Sequence, residues 1–370
     1  MHVLISGAGI AGLASALELG TRGHDVTVVE YGRHFRLEGT PIDIRGDAIE
    51  AVDRMGLLER IHDLRLRMSE SSRFVDDDGT PVGRVPIAEI SDSDDIEILR
   101  ADLVRVLADA LPASVTIRFG DSIQTVTDHG DDVRVRFDSG RTGRYDLVIG
   151  ADGQHSAVRD LVFGPERNYV RHLGVYFALA DLPGEEWSDG VNSIYNVPDR
   201  LAGIFRYGGR TVAVFQFRSG PLDYDHHDLD AQKRILFDAF ADYRSWKIPR
   251  LLDAVRAAPE FFFDAASQIH LPSWHRGRVV LVGDAGYCPA FLSGRGTSLA
   301  LTGAHFLAAE LEACGNDHTA AFERYEARLR PHVTFAQEIV DLGRDHLLPA
   351  TWDAIAARNE RLRAASTHVR

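Results

Sequence analysis

Apolar positions along the chain fall into two textures. Val3–Ile5 and Val26–Val29 are short, uninterrupted apolar runs, the pattern of strands buried on both faces. Between them Leu13–Leu19 reads as a helix closed by Gly23. The same texture returns at Tyr145–Gly150 and at Arg278–Gly283. From about Gly164 to Ser267 the pattern becomes alternation at period 2, with strands expected at Gly174–Leu182, Asn192–Asn196, Gly203–Tyr207 and Thr211–Arg218 and a helix from Asp228 through Phe240. Ile42 and Ile44 suggest a short strand leading into a helix over Ala48–Leu58, and residues 69–98 alternate in β fashion up to a polar loop at Ser91–Asp95. Leu99 opens an amphipathic helix to Leu111, followed by strands at Val115–Phe119, Ser122–Asp128 and Val133–Phe137. Helices are expected at Thr297–Ala313 and from Ala320 to the end.

These elements predict an α/β chain. A Rossmann-like dinucleotide-binding domain (1–68, 92–163 and 268–345) is interleaved with an antiparallel-sheet, substrate-binding domain (69–91 and 164–267), followed by a C-terminal helix (346–370). A length of 370 residues and 45% apolar content suit two domains. A net charge of −14 argues against a nucleic-acid surface. The only cysteines, Cys288 and Cys314, make no disulfide framework, which fits a reduced, cytoplasmic setting. No signal peptide or membrane-spanning run is legible.

The chemistry begins at Gly7-Ala8-Gly9-Ile10-Ala11-Gly12, between strand and helix. Gly7 makes the tight turn, Gly9 lets backbone approach a pyrophosphate, and Gly12 lets helix pack on strand. Glu30, at the end of the next strand, is placed to accept ribose hydroxyls. This stretch alone leaves NAD and FAD open. Two more segments decide. In YDLVIGADGQHSAVR a buried strand delivers Asp152-Gly153, with Ser156 and Arg159 following. In VVLVGDAGYCPAFLSGRGTSLALTGA a strand ends in Gly283-Asp284, and a loop with Pro289, Gly294 and Gly296 leads into a helix near Thr297. Each segment alone reads equally well as a turn and a capped helix. In this order, after the first glycine loop, they point to FAD.

On these motifs the chain resembles the group A flavin-dependent monooxygenases, the para-hydroxybenzoate hydroxylase family, and within it the tetracycline-inactivating enzymes. The resemblance covers nearly the whole chain. It implies a GR2-type FAD domain, with Gly7, Gly9, Ile10, Ala11, Gly12 and Glu30 on the ADP half of FAD. It puts Asp152, Gly153 and Arg159 at a site shared by FAD and NAD(P)H, and Asp284 after Gly283 on the flavin ribose. Arg100 in LRADL matches an FAD-contacting arginine, and PIDIRG matches a flavin-side segment, which makes Asp43 and Arg45 contacts at the isoalloxazine edge or the nicotinamide. Arg45 is the one side chain given a catalytic role.

The implied reaction is an NADPH- or NADH- and O2-consuming hydroxylation, through a flavin C4a-hydroperoxide, of a small aromatic, polyketide or antibiotic-like substrate. Tyr176, Phe205 and Phe215 are the substrate candidates. The alternative is a non-redox cyclase or isomerase of the same fold. A monomer or homodimer is expected.

Departures from the family pattern lie in the loop after Asp284, where Cys288, Arg295 and Thr297-Ser298 replace commoner residues. Backbone N–H contacts do not depend on side-chain identity, so Gly294, Gly296 and Thr297 keep a cofactor role. Arg295 either sits by the flavin pyrimidine ring or points to solvent, the second reading being favoured. His226-His227 reads as a solvated helix cap rather than a metal site, and Cys288 as a small apolar filler. Ser245–Pro249 only weakly resembles the halogenase tryptophan motif, whose first Trp is replaced by Arg244. The terminal helix, with Trp352, Ile355 and Arg358, is expected to pack across both domains.

Overall fold

The structure is a computed structural model. It describes residues 1–37, 41–66, 72–84, 94–184, 187, 191–207, 209–225, 228–259, 261–315, 317–340 and 347–367. The chain forms two compact units. The first comprises Met1–Arg65, Asp94–Arg171 and Ser267–Val340, and the second Leu66–Ser93, His172–Ala266 and Asp341–Arg370.

The first unit is organised on a six-stranded sheet in the order His275–Arg276, Val279–Leu281, Leu147–Gly150, His2–Ser6, Asp25–Glu30, Val115–Phe119. All neighbours are parallel except the edge pair His275–Arg276 with Val279–Leu281. Val3, Leu4 and Ile5 are completely buried, as an uninterrupted apolar run in a sheet covered on both faces must be. The helix Ile10–Thr21 packs against the helices Gly296–Cys314 and Arg100–Asp109. A three-stranded meander (Ile123–Asp128, Val133–Phe137, Thr142–Tyr145) and a two-stranded ribbon (Pro41–Ile44 with Ile96–Leu99) complete the unit's strands. The expected helix Ala48–Leu58 is in fact two, Asp47–Arg54 and Leu58–Asp63, because Gly56 turns the chain with φ +72°.

The second unit carries a seven-stranded sheet in the order Phe262–Ile269, Val170–Asp181, Arg210–Arg218, Arg200–Tyr207, Asn192–Val197, Ser72–Val75, Pro81–Arg84. It is not purely antiparallel, since Asn192–Val197 and Ser72–Val75 run parallel. Tyr176, Ala178, Phe215 and Phe217 form one core with Leu236, Leu251 and Val255 of the helices Leu229–Ala239 and Ile248–Ala257. The second of these helices and the strand Phe262–Ile269 go beyond the expected elements. Pro249 sits in that helix's first turn, where its missing N–H costs nothing.

The terminal helix Trp352–Thr367 belongs to this unit, and Arg358 on it is 3% exposed. Its guanidinium lies 3.6 Å over the Phe74 ring and donates to Asn196 Oδ1 at 2.7 Å. Burial pulls its pKa down to about 10. Ile355 is buried with it, whereas Trp352 is exposed rather than packed. Among the described residues no helix is long and apolar enough to cross a membrane, and no His/Cys/Asp/Glu group is placed to hold a metal. His226 and His227 lie outside the described residues.

Candidate functional site

Four adjacent parallel strands of the first unit end at the same edge of their sheet, and each delivers one of the motifs there. This is where open α/β sheets bind ligands. Gly7 turns with φ +99°, and a Cβ on it would meet Ala151 O at 2.5 Å. A Cβ on Gly12 would meet Gly7 O at 1.9 Å. Gly9 is different: nothing lies within 4 Å of where its Cβ would be. The helix it opens has no side-chain N-cap, so its first N–H groups are left for a ligand. Ile10 is half-buried and Ala11 buried. Glu30 receives the Ala8 N–H on Oε2 and the Gly32 N–H on Oε1, both at 2.8 Å, which fixes its carboxylate beside the glycine loop.

The Asp152–Arg159 segment is a local hydrogen-bond circuit. Ser156 donates to Asp152 and caps the helix Ala157–Phe163 by accepting the Arg159 N–H at 3.0 Å, while Val158 N–H reaches Asp152 Oδ2 at 3.0 Å. Burial pushes the Asp152 carboxyl above its usual range, against the pull of these donors. Gly153 has φ +83° and open space around it. Arg159 is fully buried and bonded to protein alone: Glu166 Oε2 at 2.6 Å, Gln154 O at 2.7 Å and Ala285 O at 3.1 Å. Its Nε, also buried, has no hydrogen-bond partner.

The loop that carries Ala285 follows Gly283, whose φ is +69°. Asp284 combines solvent access with protein on every side, as a carboxylate on the floor of a cleft does. This surrounding raises its pKa, while Cys288 and the charge of Arg100 pull it down. Arg100 is itself held by the Arg36 carbonyl at 2.5 Å. A Cβ on Gly296 would lie 3.9 Å from Asp284 Oδ1, and the helix Gly296–Cys314 starts without a side-chain cap, with Thr297 half-buried in its first turn. Cys288 is buried, its Sγ 3.4 Å from Ser267 O. Arg295 does not run free into solvent. Its guanidinium stacks 4.8 Å from the Phe335 ring centroid, with a buried Nε that has no hydrogen-bond partner.

Asp43 and Arg45 do come together at this loop. Arg45 Nη2 donates to Asp43 Oδ2 at 2.8 Å, and a Cβ on Gly294 would lie 3.6 Å from that oxygen. Ser298 ties the segment down, accepting the Arg45 N–H at 2.9 Å and donating to Asp43 O at 3.2 Å. Two further acids, outside the sequence expectation, complete the cluster. Asp95 Oδ2 lies 3.4 Å from Arg45 Nε, and Glu97 is the cross-strand partner of Asp43. Glu97 stands alone between Ile96 and Ile98, a polar residue in an otherwise apolar strand, and that was its signal. Burial first, and then the Asp43 charge, pushes its carboxyl up to about 7, while Arg45 pulls it down. Burial likewise raises Asp43.

In the second unit the substrate candidates separate. Tyr176 and Phe215 are core residues beneath the helices: Tyr176 stacks on Phe217 and Phe263 at 5.4 and 5.5 Å, and Phe215 meets Phe240 edge-on at 5.0 Å. They have no free surface for a ligand, so that expectation is corrected. Phe205 lies on the opposite face, half-buried, its ring crossing Gly203. Period-2 alternation puts Phe177, Leu179, Val214 and Gln216 on that face too. The buried Gln216 Oε1 has no hydrogen-bond partner there.

Comparison with known proteins returns one consistent class. The FAD binding domain family matches residues 1–340. An uncharacterised protein of Mycobacterium tuberculosis strain H37Rv is 42% identical over 344 residues, 91% of this chain and 92% of that one. A flavin-dependent monooxygenase of Legionella longbeachae is 36% identical over 342 residues, 91% and 87% of the two chains. The crystal structure of the tetracycline destructase Tet(51) superposes with a TM-score of 0.85 at 32% identity, covering 100% of this chain and 97% of that one.

Proposed function

We propose, for a chain that belongs to the FAD binding domain family and is an FAD-dependent monooxygenase, that reduced nicotinamide supplies its electrons and that its substrate is a small polyketide-type or aromatic molecule. The FAD would lie extended along the carboxyl edge of the first unit's sheet. The observation that carries this is a pair of uncapped helix starts, each with a carboxylate beside it: Glu30 at the Gly9 loop and Asp284 at Gly296.

The residues fit the cofactor. The empty space over Gly9 and the bare N–H groups behind it suit a pyrophosphate. Glu30 keeps lone pairs for ribose hydroxyls, and Asp284, which solvent reaches and whose carboxyl sits above its usual range, gains a donor if a ribityl hydroxyl reaches it. Asp152 and Gly153 line the edge between these two ends, with Arg159 as a positioning residue. Arg100 places positive charge beside Asp284. Gly294, Gly296 and Thr297 offer backbone, and Asp43 with Arg45 borders them, at the isoalloxazine end.

When bound, the flavin supplies the redox and oxygen chemistry. The protein binds, orients, keeps out water and handles protons. In balance, RH + O2 + NAD(P)H + H+ gives ROH + H2O + NAD(P)+. The tetracycline destructases among the relatives support a fused-ring, oxygen-rich substrate. Phe205 and Phe177, both half-buried on one face of the second unit's sheet, would form its apolar floor.

The test is substrate-stimulated oxidation of NADPH and NADH by the yellow holoprotein, read across a panel led by tetracyclines, with product mass increased by one oxygen. Stimulation with product oxygenation supports the reading. A flavoprotein that no nicotinamide reduces, with or without the panel, overturns it.

A further inference from the structure

The monooxygenase reaction consumes one proton in each turnover, and the first unit carries an arrangement suited to store it. On the ribbon formed by Pro41–Ile44 and Ile96–Leu99, Asp43 and Glu97 are directly opposed. Opposed residues share a face with Cβ atoms about 5 Å apart. Two acids on one partly buried face disfavour each other's ionisation unless cations compensate both. The cation count falls short. Arg45 is engaged by Asp43 at 2.8 Å and by Asp95 at 3.4 Å. Glu97 makes no ion pair among the described residues.

Among the described residues the charged groups placed about the pair are these, together with Arg65, whose Nη2 donates to the Asp95 carbonyl at 2.8 Å. Asp43 and Arg45 come from the opposite strand, and Asp95 lies two residues before Glu97 on its own. Arg295, from the loop beyond Gly294, interacts with Arg45 and Asp95. Arg100, on the helix that follows, is directed to the Arg36 carbonyl and toward Asp284. Three acids thus surround Arg45, and Glu97 is the one left without a cation. Asp43 forms the other end of the arrangement, since its Oδ2 borders the Gly294 loop.

We propose that Glu97 stores the proton consumed in each monooxygenation cycle and passes it across the ribbon to Asp43, whose carboxyl borders the Gly294 loop. This rests on the site proposed above, with the flavin ring at that loop. The O–H bond of the Glu97 carboxyl breaks as its proton moves to Asp43, and Asp43 releases a proton toward the loop. Glu97, half-exposed, regains one from solvent, so no oxidant or reductant enters the step. The raised titration point of Glu97, about 7, keeps it loaded near neutrality. Glu97 is a positioning and proton-storing group rather than one that touches the reacting atoms.

Two readouts test this. Infrared difference spectra of the FAD-loaded protein, taken across pH, should show a protonated-carboxyl stretch that titrates near pH 7 and is absent in Glu97→Gln. Asp43→Asn, which removes the neighbouring negative charge, should move the midpoint down. The second readout is reoxidation by O2 of enzyme reduced with dithionite, which needs neither nicotinamide nor substrate. Its rate should fall above pH 7 in the native protein, and in Glu97→Gln should be slower by at least threefold at pH 6 and flat with pH. A band that survives in Glu97→Gln, or a native carboxyl titrating near 4.5, overturns the proposal. So does a pH profile unchanged by the substitution. Should Glu97→Gln fail to fold, the native titration and the Asp43→Asn shift decide alone. Failure of NAD(P)H to reduce the flavin would overturn the reaction reading while leaving both readouts intact.

Discussion

A Cβ placed on Gly283 would lie 2.7 Å from the Cβ of Ala11, so the loop carrying Asp284 rests directly on the first turn of the helix Ile10–Thr21. Two motifs more than 270 residues apart in sequence are in contact through the absence of one methyl group. Gly283 also has φ +69° with ψ −145°, close to a region essentially confined to glycine, where other residues are strained by about 1–3 kcal/mol. Gly283→Ala should add about 1–3 kcal/mol of overpacking to that. The expected outcome is a lower unfolding temperature of the FAD-free protein together with weakened FAD uptake, read by calorimetry and flavin fluorescence.

Gly9 and Gly12 separate cofactor from fold. Gly12→Ala pushes a methyl into Gly7 O and should destabilise the protein whether or not FAD is present. Gly9→Ala enters empty space and should leave FAD-free stability within about 0.5 kcal/mol, or slightly improve it by stiffening the unfolded chain. FAD affinity should still fall by tenfold or more, about 1.4 kcal/mol. Equal FAD binding by Gly9→Ala and native protein would remove the pyrophosphate from this loop.

Asp284→Asn should act in opposite directions on the two states. The folded-state pKa of Asp284 is raised by its surroundings, so its ionisation opposes folding as pH climbs past 3.8. At pH 7 the FAD-free variant should therefore be at least as stable as the native protein. Loss of an anionic acceptor should weaken FAD binding by about 1–3 kcal/mol. A titration of FAD into both proteins, beside their thermal melts, checks the pair of signs.

Arg159→Met should cost stability independently of cofactor. It removes the buried cation from Glu166, which keeps His155 at 3.0 Å, and frees the Gln154 and Ala285 carbonyls. Breaking such an arrangement typically costs about 3–5 kcal/mol. Denaturant unfolding of the FAD-free variant measures it. A stability loss seen only with FAD present would instead place the guanidinium on the cofactor.

Glu97 gives the stability curve a defined slope. Its folded carboxyl holds a proton from its unfolded value of 4.5 up to about 7. In that window the native state binds more protons than the unfolded one, so stability should decline as pH rises through it and level off above. Each tenfold difference in proton affinity between the two states is worth about 1.4 kcal/mol, which solvent screening reduces at a half-exposed carboxyl. Glu97→Gln should flatten that decline in melts taken from pH 4.5 to 8.

The glycine motifs were legible because each depends on local backbone chemistry: a positive φ at Gly7 and Gly283, close approach at Gly12, open space at Gly9. The buried strands around them followed from the uninterrupted apolar runs, although their order did not. The helix Ile248–Ala257 carries apolar residues at 248, 251, 252 and 255, a helical spacing that the unusual Ser245–Pro249 run overshadows. What could not be read locally was register across the ribbon, which alone makes Glu97 the neighbour of Asp43 and Asp95 the second partner of Arg45. Nor does alternation say which face of a sheet a helix will cover. Tyr176 and Phe205 carry equivalent patterns and lie on opposite faces. Arg159 was legible as part of a motif, but the bonds of its side chain depended on Glu166 and Ala285.

The order of strands in the first unit also has a consequence for biosynthesis. His2–Ser6 is the central strand and leaves the ribosome first, yet its neighbour Leu147–Gly150 follows some 140 residues later and Val279–Leu281 some 130 after that. At about 5–20 residues per second, the nascent chain holds a half-built sheet for many seconds, with a long inserted unit made in between. The edge that carries Asp284 closes only after Val279–Leu281 has been made. Nascent chains stalled before residue 279 should retain no flavin, and those stalled well beyond 314, with the helix Gly296–Cys314 outside the exit tunnel, should begin to.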